Sequence, residues 1–151
     1  MLDDLDRRIL RHMQGDAEQS IPDLAATLGM TPTRLSRRLD KLREAGVLLG
    51  SRVVIDWHAL GYTVEVSLRV TLEKANPRAF DEFIAKAREI PEVLEIQTFL
   101  GQVDVRLSVI ARDMPHYQEI YRAQILTLPH ITDIEALMHV ARIKSNESLP
   151  L

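Results

Sequence analysis

Arg34, Arg37, Arg38 and Lys41 fall within eight consecutive residues, threaded between Leu35, Leu39 and Leu42. Leucines at that spacing share one face of a helix, so the cations and Ser36 are pushed to its flanks and outer face. Guanidinium and ammonium groups presented that way suit phosphate oxygens and guanine edges. Intrahelical pairing with Asp40 and Glu44 is the competing use of those charges. The local count weighs against it: Thr31 to Arg52 holds six basic residues and two acidic ones, in a chain of formal net charge −3. Positive charge is concentrated on this one segment, and its predicted partner is double-stranded DNA.

Other chemistries find little support in the residue types. The histidines at 12, 58, 116, 130 and 139 are scattered, none three or four residues from another, and no metal site is expected. The absence of cysteine removes disulfides and thiolate metal ligands and points to a reducing cytoplasm. Neither a Gly-x-Ser-x-Gly elbow nor a phosphate-cradling glycine loop occurs, so the chain is expected to be no enzyme and to carry no cofactor. No uninterrupted apolar run approaches the roughly 20 residues of a membrane helix.

The cationic helix needs a scaffold, and the residues before it supply one. Ile21, Leu24, Ala25 and Leu28 recur at helical spacing, Gly29 tolerates a left-handed stop, and Thr31-Pro32 marks the next start. Two short helices joined by a glycine turn form a helix-turn-helix. Ahead of them Leu5, Ile9, Leu10 and Met13 predict a first helix, with Asp3, Asp4 and Asp6 at the positive end of its dipole and a break at Gly15-Asp16. Gly46 ends the third helix. Val47, Leu48, Val53, Val54 and Ile55 then read as short extended runs, a small wing or a connecting strand.

From Tyr62 the periodicity changes from helical to alternating. Tyr62, Val64, Val66, Leu68, Val70 and Leu72 interleave with polar residues as a half-buried strand. Asn76-Pro77 opens a helix with Phe80, Phe83, Ile84 and Ala87 on its buried face, and Pro91 closes it before a strand through Leu94, Ile96, Thr98 and Leu100. Gly101 and Gln102 turn the chain into a third strand carrying Val103, Val105, Leu107 and Val109. Pro115 starts a helix burying Tyr117, Ile120, Tyr121 and Ile125, and Ile134, Ala136, Met138 and Val140 belong to a last strand. The order β-α-β-β-α-β is the ferredoxin-like plan. The fold class is therefore α+β: a helix-turn-helix domain over residues 1–56 and a ferredoxin-like domain over 57–151, joined near Asp56 to Gly61. The aromatic residues lie mainly on apolar faces or at the join and read as packing.

Several motifs in this order resemble the Lrp/AsnC, or feast/famine, family of transcription regulators. They are LDDLDRRIL at 2–10, LAATLGMTPTRLSRRLDKLREAGVL at 24–48, the doublets Ile55-Asp56 and Leu60-Gly61, LGQVD at 100–104, and the tail Leu149-Pro150-Leu151. The resemblance spans essentially the whole chain. It implies a homodimer, commonly assembled to an octamer or similar ring through the second domain, that binds an amino acid or related small effector between dimers. It also implies that Thr31, Thr33, Arg34, Ser36, Arg37 and Arg38, with Lys41 beside them, face DNA, Arg38 matching the family's most characteristic arginine. Arg34, Ser36 and Arg37 are expected at base edges, and Thr31, Thr33 and Arg38 at phosphates. Leu100, Gly101, Gln102, Val103 and Asp104 match the effector loop, with Asp104 holding the ligand's ammonium. Read from the residues alone, Gly101 and Gln102 form a hairpin turn and Asp104 a solvated strand residue. Two alternatives share the architecture: a siroheme decarboxylase-like enzyme subunit, and an effector-binding assembly module that does not read DNA.

Overall fold

The computed structural model describes residues 2–145 and 148–151. The chain divides into two compact units, one holding the chain up to Val54 together with the described residues from Lys144 onward, the other Ile55–Ile143. The second domain was expected to run on to residue 151, yet the last residues cluster with the helices. Leu149 and Leu151 share an apolar cleft with Leu10, Met13 and Leu24. Arg11 donates from Nε and Nη2 to the Leu151 carbonyl at 3.0 and 2.5 Å, and the Gln14 side chain bonds both the N–H and the C=O of Leu149.

Three helices build the first unit: α1 (Asp4–Gly15), α2 (Ile21–Thr27) and α3 (Pro32–Glu44). Each start is capped as its sequence dictates. The Asp3 carboxylate accepts the Asp6 N–H while the Asp6 carboxylate accepts the Asp3 N–H, a reciprocal capping box; Ser20 caps α2 and Thr31 caps α3. Between α2 and α3 the chain reverses at Gly29, whose φ of 66° is left-handed, and the Met30 N–H returns to the Ala25 carbonyl at 2.9 Å. Gly46, at φ 68°, ends α3 in the same way, with the Val47 N–H donated to Leu42. Ile9, Leu24, Ala25, Leu28, Leu35 and Leu39 form the core, with Leu5, Met13, Met30 and Leu48 packed against it. That core sets α3's rotation and so decides which of its side chains face outward.

The wing or connecting strand expected after α3 does not form a ladder: among the described residues no strand occurs between α3 and Val64. Residues 49–56 run without secondary structure, with Val53 and Val54 each 85% exposed. A strand needs a neighbour for its backbone groups, and no segment among the described residues supplies one.

The second unit is a four-stranded antiparallel sheet in the order β2-β3-β1-β4, made of β1 (Val64–Leu72), β2 (Val93–Thr98), β3 (Val105–Ala111) and β4 (Ile131–Met138). Helix α4 (Ala79–Ala87) links β1 to β2; α5 (Met114–Ile120), continued by a widened π-type turn at Tyr121–Ile125, links β3 to β4. This is the ferredoxin-like βαββαβ arrangement. Val66, Leu68, Val70 and Leu72 of β1 join Val105, Leu107, Val109 and Ala111 of β3, and Phe83, Tyr117, Ile120 and Ile125 from the helical segments complete the core. Central strands put the rows that alternation predicts on the core, and Ser67, Ser108 and Ile110 on their opposite face are buried as well. Edge positions depart from alternation. In β2 a register shift between Val93 and Glu95 leaves Leu94 more than half exposed while Val93 and Ile96 pack on the core. Leu100 and Val140 lie beyond their strands and are fully exposed, and Phe80 stands 42% exposed on α4 because the buried row there is Ala79, Phe83 and Ala87.

Candidate functional site

Helix α3 presents its cations as its leucine stripe requires. Leu35, Leu39 and Leu42 are buried, while Arg34, Arg37 and Lys41 are exposed and pair with no described residue. Asp40 bonds Arg43, further along the helix, at 3.0 Å. The predicted intrahelical competition therefore absorbs Arg43 and leaves the three outward cations free. Thr31, Thr33, Arg34, Arg37, Arg38 and Lys41 line one open groove of about 900 Å³ together with Asp3 and Asp6. Ser36 is half-buried. The Thr31 hydroxyl accepts the Arg34 N–H at 3.3 Å as the helix cap and keeps its own proton to donate outward.

Arg38 differs from this set. Its Nη1 donates to Asp3 Oδ2 at 2.7 Å and to Asp6 Oδ1 at 2.6 Å, and its side chain is only 25% exposed. Its expected hold on phosphate has a rival inside the fold, where it straps the start of α1 to the middle of α3. The Asp6 N–H first, and the Arg38 guanidinium second, hold the Asp3 carboxyl below its usual range, and the two aspartates in turn hold Arg38 more firmly protonated. Sequence reasoning assigned Asp3 and Asp6 to the helix dipole alone and missed this clamp; a carboxylate pair on one helix and a half-flanking arginine on another was the signal available.

In the sheet unit, the loop after β2 is pinned against the end of β1. The Phe99 N–H donates to the Asp104 carbonyl at 2.9 Å, the Asp104 N–H to the Val70 carbonyl at 3.0 Å, and the Thr71 hydroxyl to the Gln102 carbonyl at 3.2 Å. Leu100, Gly101 and Gln102 are exposed and Val103 is half-buried. The N–H groups of Gly101, Gln102 and Val103 donate to no described group. Asp104 is not the solvated strand residue that a plain hairpin predicts: its side chain is 17% exposed, Oδ2 accepts the Leu72 N–H at 2.8 Å, and Oδ1 accepts the Lys74 ammonium. Those two donors, the Leu72 amide foremost, hold its carboxyl below the ordinary carboxylate range. Lys74 carried no mark in the sequence, since nothing local relates it to a residue thirty positions later.

Among the described residues no helix is long and apolar enough to cross a membrane, and no group of three or more His, Cys, Asp or Glu is placed to hold a metal ion.

A helix-turn-helix with free cations on its second helix, followed by a ferredoxin-like sheet, defines a DNA-binding regulator with an appended ligand-binding domain. Residues 2–48 match the winged helix-turn-helix DNA-binding family model, and residues 65–149 match the Lrp/AsnC ligand binding domain. The chain belongs to the Lrp/AsnC family of transcriptional regulators. It is 28% identical over 151 residues to the DNA-binding transcriptional activator DecR of Escherichia coli, covering 100% of this chain and 99% of that one. Its identity to the proline dehydrogenase transcriptional activator of Rhodobacter capsulatus is 30% over 131 residues, or 87% and 85% of the two chains. Among solved structures, an AsnC family regulator from Agrobacterium tumefaciens superposes with a TM-score of 0.88 at 30% identity, and a Neisseria meningitidis regulator in complex with L-methionine with 0.90 at 25%; each match covers 99% of this chain and 97% of the other.

Proposed function

We propose that the protein reads a specific duplex sequence through Thr31, Thr33, Arg34, Ser36, Arg37 and Lys41, and that a free amino acid bound at residues 100–104 controls the outcome. The observation carrying the DNA assignment is the three exposed, unpaired cations of α3, gathered in one groove beside two threonine hydroxyls. A recognition helix enters the major groove with its early side chains, so Arg34, Ser36 and Arg37 meet base edges while Thr31, Thr33 and Lys41 hold phosphate. Arg38 keeps Nε and Nη2 for a phosphate, because Nη1 alone makes both carboxylate contacts.

The loop supports an amino acid effector by complementarity. Three successive free N–H groups suit a carboxylate, and Asp104, fixed by the Leu72 amide, suits an ammonium. The relative bound to L-methionine supports the same ligand class. Leu100 and Val103 supply apolar surface beside those polar groups.

A second copy of this chain completes the assembly. Val53, Val54, Val140 and Ile143 are each at least 85% exposed in segments without ladder partners, an arrangement that calls for cover. A twofold dimer also presents two recognition helices to two half-sites, and further association of dimers through the sheet domain yields an octamer or similar ring.

The test is a fluorescence-anisotropy titration of the full chain on genomic DNA fragments from its own upstream region, with and without a panel of free amino acids, beside sedimentation equilibrium. Sequence-selective binding that an amino acid shifts, by a dimer or a multiple of dimers, is the expected result. Binding that does not discriminate sequences, or a monomer at working concentration, refutes the reading.

A further inference from the structure

We propose that Lys74 occupies the ammonium position of the effector loop, so that an incoming amino acid displaces this chain's own cation before Asp104 receives it. The inference rests on the effector reading of residues 100–104 given above.

Two partners hold the Asp104 carboxylate, and they differ in kind. The Leu72 N–H belongs to the strand backbone, fixed where β1 pairs with Ile131 of β4. Lys74, by contrast, lies just past the end of β1, and its side chain is 64% exposed on a flexible stem. One oxygen is therefore held by fixed backbone and the other is closed by a movable ammonium. Beside them the Gly101, Gln102 and Val103 amides stay open. A zwitterion approaching this loop meets three N–H groups with no protein acceptor and an ammonium position held by Lys74.

Exchange of one ammonium for another conserves the charge and hydrogen bond at Asp104, so the cost is the release of Lys74, whose end of the pair is exposed and screened by salt. Lys74 thus acts as a tethered competitor. It weakens every ligand that brings an ammonium, and leaves untouched any that does not. It also balances the charge of Asp104, so that the carboxylate does not stand uncompensated in a largely buried position.

Calorimetry on the full-length chain tests this with L-methionine and L-leucine as probes and N-acetyl-L-methionine, which has no ammonium, as control. Lys74→Met is expected to tighten L-methionine and L-leucine about two- to fivefold, the effect of one exposed ion pair, to leave N-acetyl-L-methionine unchanged, and to abolish the part of the salt dependence that came from breaking the pair. Lys74→Arg, which keeps a cation within reach, retains wild-type affinity. If Lys74→Met weakens the amino acids, leaves them unchanged, or tightens the acetylated control equally, the competitor role is overturned while the effector loop stands. If neither probe binds wild type or Lys74→Met, the effector reading falls, and this inference with it. Loss of L-methionine binding in Asp104→Asn, alongside the gain in Lys74→Met, supports both.

Discussion

Arg37 and Arg38 are neighbours with the same side chain, and the structure assigns them opposite work, which a paired substitution exposes. Arg37 is exposed and touches no described partner, so Arg37→Ala removes nothing from the fold; its stability change stays within about 0.5 kcal/mol, as for other surface sites. Its cost falls on DNA. Loss of one guanidinium at a base edge or phosphate weakens binding by about 1–3 kcal/mol, and a phosphate contact lowers the salt slope by about one unit per bound head. Arg38→Ala acts on the fold. Asp6, with a side chain only 15% exposed, loses a 2.6 Å charge-assisted hydrogen bond. A bond of that kind contributes about 1–3 kcal/mol, and the Asp3 contact, more than half exposed on the carboxylate side, adds little. For a small unit this lowers the melting temperature by several degrees. Thermal melts followed by circular dichroism and anisotropy titrations at several salt concentrations read the two effects separately. Unchanged affinity and slope in Arg37→Ala refute the assignment of α3 as the reader. An Arg38→Ala protein that melts like wild type yet loses DNA as Arg37→Ala does refutes the clamp.

Further outcomes follow from the same geometry. Gly29→Ala costs about 1–2 kcal/mol from the left-handed φ of 66° alone, because a Cβ there meets nothing within 4 Å; urea denaturation that finds no loss contradicts the turn geometry. Leu39→Ala opens a hole in the small helical core and costs about 2–5 kcal/mol, enough to melt that unit ahead of the sheet unit in calorimetry, whereas a single unchanged transition contradicts the packing. The lowered Asp104 carboxyl contributes stability above the ordinary carboxylate range, and that contribution disappears as pH falls through the lowered value. Urea midpoints of wild type and Asp104→Asn should therefore differ at neutral pH and converge in strong acid; a gap that persists in acid contradicts the sign.

Short-range order was written along the chain. Caps at Asp3, Ser20 and Thr31, left-handed stops at Gly29 and Gly46, and the leucine stripe of α3 each involve residues a few positions apart, so the types and spacing alone placed three helices and turned Arg34, Arg37 and Lys41 outward. Alternation marked β1 and β3 for the same reason: a slip of one residue would turn the apolar row away from the core and put Ser67 and Arg69, or Arg106 and Ser108, in its place. Edges carried weaker signals. Leu94 and Phe80 are apolar in the expected pattern, yet a register shift in β2 and the rotation of α4 turned them outward, and neither is visible without the neighbouring strand or the sheet beneath. The division of labour between Arg37 and Arg38, and the pairing of Lys74 with Asp104, were decided only in three dimensions. Those ion pairs join groups 35 and 30 residues apart, and Coulomb attraction depends on distance through space, which only the packed chain defines.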